Sequence, residues 1–174
     1  MYLEVSEVKK SYGEGGSYVQ VLKGINTGVE KGQMCVIQGT SGSGKSTLLN
    51  CIGGLDNMDS GSIKVDGTEI FGMTSEQLSD YRRDNLGFIF QFYNLVPNLI
   101  LCDVPTGALD SKTSRDILVL LVKINAKYGT TMLIVTHNNS IKNMVHKVIF
   151  IKDGLISKEY ENEVRVPASE LEDL

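Results

Sequence analysis

The chain has 174 residues, enough for one domain with a buried core, and its 41% hydrophobic and 22% charged residues are ordinary for a globular protein. A net charge of −4 argues against a broad nucleic-acid surface, so we expect no nucleic-acid partner. The sequence shows no basic leader and no apolar run long enough to cross a bilayer, which predicts a cytoplasmic location.

The N-terminal part of the chain is dominated by strand patterns. Apolar and polar residues alternate over 2–9, which predicts a strand, and a second strand is predicted at 18–25 across a glycine-rich turn. The continuous apolar run at 34–37 is typical of a strand buried on both faces. A glycine-rich loop follows this run at once, and then a helix from about Lys45 to Gly53.

The next elements are short. Residues 61–65 and 68–71 predict a hairpin around the Asp-Gly turn between them. Thr74, followed by Gln77 three residues later, predicts a capping box that begins a helix through Arg83. Residues 87–90 predict a short buried strand that ends at Gln91.

The remaining elements alternate between buried strands and helices. In chain order they are a strand at 99–102 that ends in Asp103, a helix at 111–128, a strand at 131–135 that precedes His137, a helical segment at 140–146, and a hairpin of 148–151 with 155–158. The tail from Glu159 is polar and acidic, and we expect it to be loose.

This order of elements predicts an α/β fold with small antiparallel hairpins at its edges. Polar side chains follow the ends of several predicted strands, namely the loop after Ile37, Gln91, Asp103 and His137. Ligands bind at the carboxyl edge of an open α/β sheet, so we expect these residues to share one site.

Three cysteines show no spacing typical of a metal site or a disulfide framework. Cys35 and Cys102 lie inside apolar strand patterns, and Cys51 lies in the predicted helix after the glycine-rich loop. We interpret them as buried free thiols.

The glycine-rich loop carries the strongest motif in the sequence. Gly39-Thr40-Ser41-Gly42-Ser43-Gly44-Lys45-Ser46 matches the phosphate-binding pattern Gly-x-x-x-x-Gly-Lys-Ser/Thr. The glycines let successive N–H groups point at phosphate oxygens, and Lys45 adds a positive charge for the β- and γ-phosphates. The Ser46 hydroxyl is a hard ligand for Mg²⁺, and Thr47 adds a hydroxyl near the α-phosphate.

A surface Gly/Ser loop that happens to contain a lysine is the alternative interpretation of this loop. The buried strand before it and the helix after it favour the phosphate loop, because both are part of that motif's context. The sequence therefore predicts a P-loop NTPase core of the RecA-like type, with ATP and Mg²⁺ as its cofactors.

The residues around the loop resemble the ATP-binding subunits of ABC transporters, most closely the branch of lipoprotein-release and macrolide-export systems. The resemblance runs over residues 1–98 and 102–158. The matching stretches are 39–47, 53–56, 82–83, 88–97, 105–110 and 135–137. It implies an ABC-type nucleotide-binding core at 1–158, a break in the family pattern at about 98–102, and a polar tail at 159–174.

The resemblance gives several residues a role. Tyr12 is similar to the aromatic residue that stacks on adenine, although a surface tyrosine at a strand end is an equal alternative. Gln91 resembles the glutamine that touches Mg²⁺ and the attacking water, and Asp103 the acid that holds Mg²⁺ through water. His137 resembles the histidine facing the γ-phosphate, and Asp110 the acid that communicates across the nucleotide-bound dimer.

The family's partners are an integral membrane permease and a second ATP-binding subunit. The resemblance therefore implies a chain that is peripheral at the inner face of the cell membrane, held there by the permease.

Two features depart from the family pattern. The glutamate that polarises the attacking water is replaced by Val104, which cannot accept a proton. The helical subdomain with its signature Leu-Ser-Gly-Gly-Gln is absent, because only Phe92 to Asn98 separate Gln91 from the strand at Leu99. A parallel crossover ordinarily takes about a dozen residues or more, so either this connection is unusually taut or the sequence lacks a segment that the working protein has.

Three functions follow as hypotheses. The first is an ATP-binding transporter subunit that is truncated or impaired in hydrolysis. The second is a non-catalytic nucleotide-binding regulatory module, which Val104 and the absent signature both favour. The third, a small P-loop kinase, is weaker because the four arginines, Arg82, Arg83, Arg115 and Arg165, form no lid-like cluster.

Overall fold

The computed structural model describes residues 1–88, 98–103, 110–172 and 174. Its strands are β1 (Leu3–Tyr12), β2 (Val19–Val29), β3 (Met34–Gln38), β4 (Ser60–Val65), β5 (Thr68–Glu69), β6 (Leu86–Phe88), β7 (Leu99–Asp103), β8 (Thr131–Val135), β9 (Lys147–Lys152) and β10 (Leu155–Glu161). Its α-helices are α1 (Lys45–Ile52), α2 (Ser75–Asn85) and α3 (Ser111–Tyr128), and short 3₁₀ helices lie at Gly15–Ser17, Ile141–Asn143 and Ala168–Glu170.

The described strands form two sheets. The smaller is antiparallel, with strand order β2-β1-β4-β5. The larger has the order β10-β9-β3-β8-β7-β6, and all of its pairings are parallel except β9 with β10. The predicted α/β core with an antiparallel β edge is confirmed.

The central strands of the larger sheet are buried on both faces because their side chains alternate between two cores. In β3, Cys35 and Ile37 join a core that also contains the buried face of α1 and residues of the smaller sheet. Met34 and Val36 face the opposite core, where α3 packs. The continuous apolar run predicted for this strand has this physical origin.

Local signals in the sequence set the ends of α2 and α3. Thr74 Oγ1 accepts a hydrogen bond from the Gln77 N–H at 3.2 Å, and Gln77 Oε1 accepts one from the Thr74 N–H at 2.9 Å. This reciprocal pair is the predicted capping box. Helix α3 ends at Gly129, whose φ of 64° is a left-handed conformation that glycine adopts without strain.

The parallel arrangement expected for the two strands around the short connection is confirmed. Leu86 pairs with Leu99 and Phe88 with Leu101, both in the parallel sense. The connecting chain runs over 89–98, of which only Asn98 is among the described residues.

The C-terminal part differs from the loose tail expected from Glu159. Strand β10 continues to Glu161, and the segment beyond it returns to the core that contains α3. Ala168 and Leu171 are buried there, and Arg115 Nη2 donates to the Leu171 carbonyl at 2.7 Å. The prediction of a loose tail is wrong because Ala168 and Leu171, three residues apart, pack into the core that contains α3 and hold this polar segment in place.

The expected helical segment at 140–146 is shorter in the structure. Only Ile141–Asn143 is helical, and the helix is of the 3₁₀ type. Ile141, Met144 and Val145 are nevertheless fully buried, so the apolar spacing of the segment reflects packing rather than an α-helix.

The three cysteines are free and buried, as predicted. Burial raises the pKa of Cys35 and of Cys51 to about 12 and raises that of Cys102 as well, so all three stay protonated thiols at neutral pH. No helix in the described part of the chain is long and apolar enough to span a bilayer.

Candidate functional site

The carboxyl ends of three parallel strands meet beside the glycine-rich loop. Ile37 of β3 pairs with Val135 of β8, and Val135 pairs in turn with Asp103 at the end of β7. The loop after β3, His137 and Asp103 therefore lie at one edge of the larger sheet, as the strand order predicted.

The backbone of the loop depends on its glycines. Gly42 has a φ of 77° and Gly44 a φ of 105°, both in the left-handed region. A Cβ on Gly44 would lie 2.8 Å from Leu22 Cδ2, and a Cβ on Gly39 would lie 2.2 Å from the Ile151 carbonyl oxygen. The loop is thus pressed against β2 on one side and β9 on the other.

Lys45, the first residue of α1, is held by its own loop. Its Nζ donates to the carbonyl oxygens of Gly39 and Thr40 at 2.8 and 2.7 Å, and the residue is only 5% exposed. Burial lowers the pKa of Lys45, and the negative charge of Asp103 acts in the opposite direction. These contacts hold a cation at the centre of the loop, next to the acid at the end of β7.

A cavity of about 310 Å³ opens over this loop. It is lined by Val21, Ser41, Gly42, Gly44, Lys45, Ser46, Thr47, Val135 and His137. Backbone amides at the start of a helix, a lysine and hydroxyl groups are the groups that bind phosphate. His137 is exposed to solvent at this cavity.

Three polar atoms in the loop and at the ends of the strands beside it are buried without a hydrogen-bond partner in the described part of the chain. They are Gln38 Oε1, Ser43 Oγ and Asp103 Oδ1. An unpartnered carboxylate oxygen at the same edge as the Ser46 hydroxyl is a donor set suited to Mg²⁺, which prefers oxygen ligands and retains several waters. The residues present therefore fit the predicted metal.

Tyr12 lies outside the residues that line the cavity, yet it is adjacent to them. Its hydroxyl donates to the Asp56 carboxylate and also lies beside Thr47. Tyr12 is 42% exposed, and Lys10 Nζ lies 5.0 Å from the centroid of its ring. The structure thus places Tyr12 at the rim of the phosphate loop, and its proposed contact with adenine stays a prediction.

Asp110 has a local structural contact. Its Oδ1 accepts a hydrogen bond from the Thr113 N–H at 2.8 Å, so it caps the N-terminus of α3. This contact lowers the pKa of Asp110. The role across a dimer stays a prediction, and Gln91 and Val104 lie outside the described residues.

Two groups of residues near the site were not predicted. One is the cluster of Lys10 and Asp56 around Tyr12. The other is Gln38, whose Nε2 donates to the Asn138 carbonyl at 3.0 Å and so ties the end of β3 to the chain after His137. Asp56 lies in the stretch 53–56 that matched the family pattern, so the sequence contained a signal for it, whereas Gln38 had none.

Comparison with known proteins gives one family. The ABC transporter family matches residues 22–154. A bacitracin export ATP-binding protein of Halalkalibacterium halodurans is 33% identical, with 88% of this chain and 86% of that protein covered. A lipoprotein-releasing system ATP-binding protein of Porphyromonas gingivalis is 28% identical, with 91% and 100% covered. A macrolide export ATP-binding/permease protein of Mannheimia succiniciproducens is 34% identical over 88% of this chain, which spans 34% of that longer protein.

A solved structure supports the same likeness. The ATP-binding cassette of Methanocaldococcus jannaschii, solved as a dimer in a post-hydrolysis state bound to ADP and Pi, superimposes with a TM-score of 0.85 at 27% identity. The match covers 91% of this chain and 98% of that chain.

The alignments also show a difference in length. The alignment with the bacitracin relative has 218 positions, although 88% of this 174-residue chain is only about 153 residues. About 65 positions of the relative therefore have no counterpart in this chain. The break in the family pattern that we predict at about 98–102 would produce a gap of this kind. The position of the break stays a prediction.

Proposed function

This chain belongs to the ABC transporter family as an ATP-binding subunit, and from this premise we propose that it binds Mg-ATP to drive export or release of a substrate through a partner permease. The observation that carries the proposal is the phosphate loop, with left-handed Gly42 and Gly44 and a buried Lys45 beside Asp103. By the resemblance, binding closes two such subunits on each other and hydrolysis resets them.

The proposed binding step uses residues 39–47. Backbone N–H groups of the loop and of the first turn of α1 face the phosphate oxygens. Lys45 Nζ exchanges the Gly39 and Thr40 carbonyls for the more strongly charged β- and γ-phosphates. Ser46 and Asp103 would hold Mg²⁺, which neutralises phosphate charge when it is bound.

The proposed site lacks one group that activates water in the family. By the family resemblance, the residue after Asp103 should be the glutamate that polarises water, and here it is Val104. A general base contributes a factor of about 10²–10⁴ in rate, so we expect tight nucleotide binding with slow phosphate release.

Phosphate release by the wild type and by Val104→Glu tests this part of the proposal. We expect a low rate in the wild type and an increase of about 100-fold or more in the variant if the rest of the site is intact. Val104→Gln, which restores size and polarity without a base, is the matched control. A measurable wild-type rate that equals that of Val104→Glu would contradict impaired hydrolysis.

A non-catalytic nucleotide-binding module is the second candidate. Val104 favours it, and so does the shortfall of about 65 aligned positions, because a partner-facing segment is among what such a gap could remove. Tight Mg-ATP binding with no phosphate release from either the wild type or Val104→Glu would support this candidate over a self-sufficient ATPase.

The proposed partners are an integral membrane permease and a second ATP-binding subunit, with the chain peripheral at the inner face of the cell membrane. Two relatives are named as ATP-binding proteins of export or release systems, and the archaeal cassette is a dimer. Recovery of the full chain with washed membranes only when the permease is co-expressed would support this location. Recovery entirely in the soluble fraction with the permease present would contradict it.

A further inference from the structure

A compact polar cluster joins the end of β1 to the loop between α1 and β4. Lys10 Nζ lies 3.2 Å from Asp56 Oδ1 and 3.9 Å from Asp59 Oδ1. Asp59 Oδ2 accepts a hydrogen bond from the Ser11 N–H at 2.7 Å, so the two segments are also joined through the backbone. The Tyr12 side chain contacts both Lys10 and Asp56 of this cluster.

The hydroxyl end of Tyr12 is anchored by Asp56. The carboxylate accepts a hydrogen bond from the hydroxyl, and Thr47 of α1 lies beside the same hydroxyl. Thr47 lines the cavity over the phosphate loop, so the anchor places the ring at a defined distance from the site of the phosphates.

One face of the Tyr12 ring is covered by Lys10. The ammonium lies 5.0 Å from the ring centroid, within cation–π range, and the Lys10 side chain is itself only 11% exposed. Tyr12 as a whole nevertheless stays 42% exposed. The residue thus keeps surface open to solvent beside the Lys10 ammonium.

We propose that Asp56 and Lys10 are positioning residues which fix the Tyr12 ring as a platform for the base of the bound nucleotide. The inference rests on the proposed function, because it assigns partners to the ring expected beside adenine. Asp56 holds the edge of the ring, and Lys10 closes one face so that a flat aromatic base stacks on the other. Stacking of a base on an aromatic side chain is sequence-tolerant, so the platform strengthens binding of any purine nucleotide.

The hydrogen bond between Tyr12 and Asp56 keeps its donor and its acceptor at neutral pH. Burial and the contact with Asp56 raise the pKa of Tyr12 to about 12, so its hydroxyl remains a donor. The hydrogen bonds from Tyr12 and Lys10 outweigh burial and lower the pKa of Asp56, so it remains a carboxylate acceptor. The hydrogen bond from Tyr12 to Asp56 is therefore present at the neutral pH at which nucleotide binding is measured.

A comparison of two ligands distinguishes binding at the Tyr12 ring from binding at the phosphate loop. Mg-ATP contacts both, whereas Mg-tripolyphosphate has the phosphates without the base. We expect Asp56→Ala to weaken Mg-ATP binding about three- to tenfold and to leave Mg-tripolyphosphate binding unchanged. Asp80→Ala is the matched control, because Asp80 is an exposed carboxylate on α2 paired with Arg83, and it should change neither affinity.

A second variant keeps the ring and removes only the anchor. Tyr12→Phe should reduce the ratio of Mg-ATP to Mg-tripolyphosphate affinity to the same extent as Asp56→Ala. Adding Asp56→Ala to Tyr12→Phe should then lower this ratio by less than Asp56→Ala does alone, because the part of its effect that passes through the Tyr12 hydroxyl is already lost. This non-additivity is a readout that a purely structural role of Asp56 would not produce.

The outcomes are distinguishable from a failure of the proposed function. If the wild type binds neither ligand, the phosphate-loop proposal itself fails. If it binds both equally, or if Asp56→Ala weakens both equally, the phosphate loop stands and the platform inference is overturned. Full additivity of Tyr12→Phe and Asp56→Ala would likewise overturn it.

Discussion

At the scale of single residues, the phosphate loop combines backbone strain that only glycine tolerates with close packing. Gly42 and Gly44 are both left-handed, but they differ in their surroundings: a Cβ at Gly42 meets no atom within 4 Å, while a Cβ at Gly44 lies 2.8 Å from Leu22 Cδ2. A side chain at Gly42 would therefore meet only the cost of the left-handed conformation, whereas a side chain at Gly44 would also meet a steric clash.

Alanine substitutions at these two glycines should differ in their effect on stability. Gly42→Ala is expected to lower the free energy of unfolding by about 1–2 kcal/mol, the cost of a left-handed alanine. Gly44→Ala should lower it by about 1–3 kcal/mol more, because the added methyl also clashes with Leu22. Urea unfolding of both variants measures the difference, and equal losses would contradict the packing of Gly44 against β2.

His146 makes stability depend on pH. Its Nδ1 accepts a hydrogen bond from the Met34 N–H at 2.9 Å, which requires that nitrogen to be unprotonated. Burial, and then the charge of Arg165, lower the pKa of His146 below 6.5 in the folded chain. The unfolded chain therefore binds more protons below about pH 6.5, so stability is fully present above that pH and is lost as pH falls toward the folded pKa.

Replacement of His146 tests this linkage. His146→Asn retains an acceptor for the Met34 N–H but cannot be protonated. The fall in the urea midpoint between pH 7 and pH 5 should be smaller in this variant than in the wild type. An identical pH dependence in the two proteins would show that His146 is not responsible.

At the scale of elements, sequence reasoning succeeded where local signals suffice. The phosphate loop, the capping box at Thr74 and the buried strands β3, β7 and β8 each have a pattern within about ten residues of chain. Sequence reasoning failed where a contact joins segments that are far apart in the chain. The packing of Leu171 against the α3 core and the contact between Tyr12 and Asp56 join segments whose patterns give no hint of each other.

The capping box of α2 gives a prediction at this scale. Thr74→Ala removes the acceptor for the Gln77 N–H and should lower the free energy of unfolding by about 1 kcal/mol. Thr74→Ser retains the hydroxyl and should be close to wild type. Thermal and urea unfolding measure both variants, and an alanine variant as stable as the serine variant would contradict the cap's contribution.

At the scale of the whole molecule, a buried lysine joins the two sheets. Lys147 of β9 donates from Nζ to the Gly28 carbonyl of β2 at 2.6 Å and lies 3.8 Å from Glu159 Oε2 on β10. Its side chain is only 10% exposed. The contact fixes the antiparallel sheet against the sheet that carries the site.

Removing this link should destabilise the fold. Lys147→Met retains the apolar stem but removes the charged donor to the Gly28 carbonyl, at an expected loss of about 1–3 kcal/mol in the free energy of unfolding. Lys152→Met, at the exposed end of the same strand, is the matched control and should stay within about 0.5 kcal/mol of the wild type. A loss no larger in Lys147→Met than in Lys152→Met would contradict the structural role of the link.

The measurement that tests the central claim most directly is a calorimetric titration of the folded chain with Mg-ATP. We predict saturable binding at one site, weakened about 10- to 100-fold in Lys45→Ala, because the variant loses a charge-assisted contact to the phosphates. Lys64→Ala, an exposed lysine in the antiparallel sheet, should bind like the wild type. Absence of saturable binding by the folded wild type, or equal affinity in Lys45→Ala, would contradict the claim that residues 39–47 form a nucleotide site.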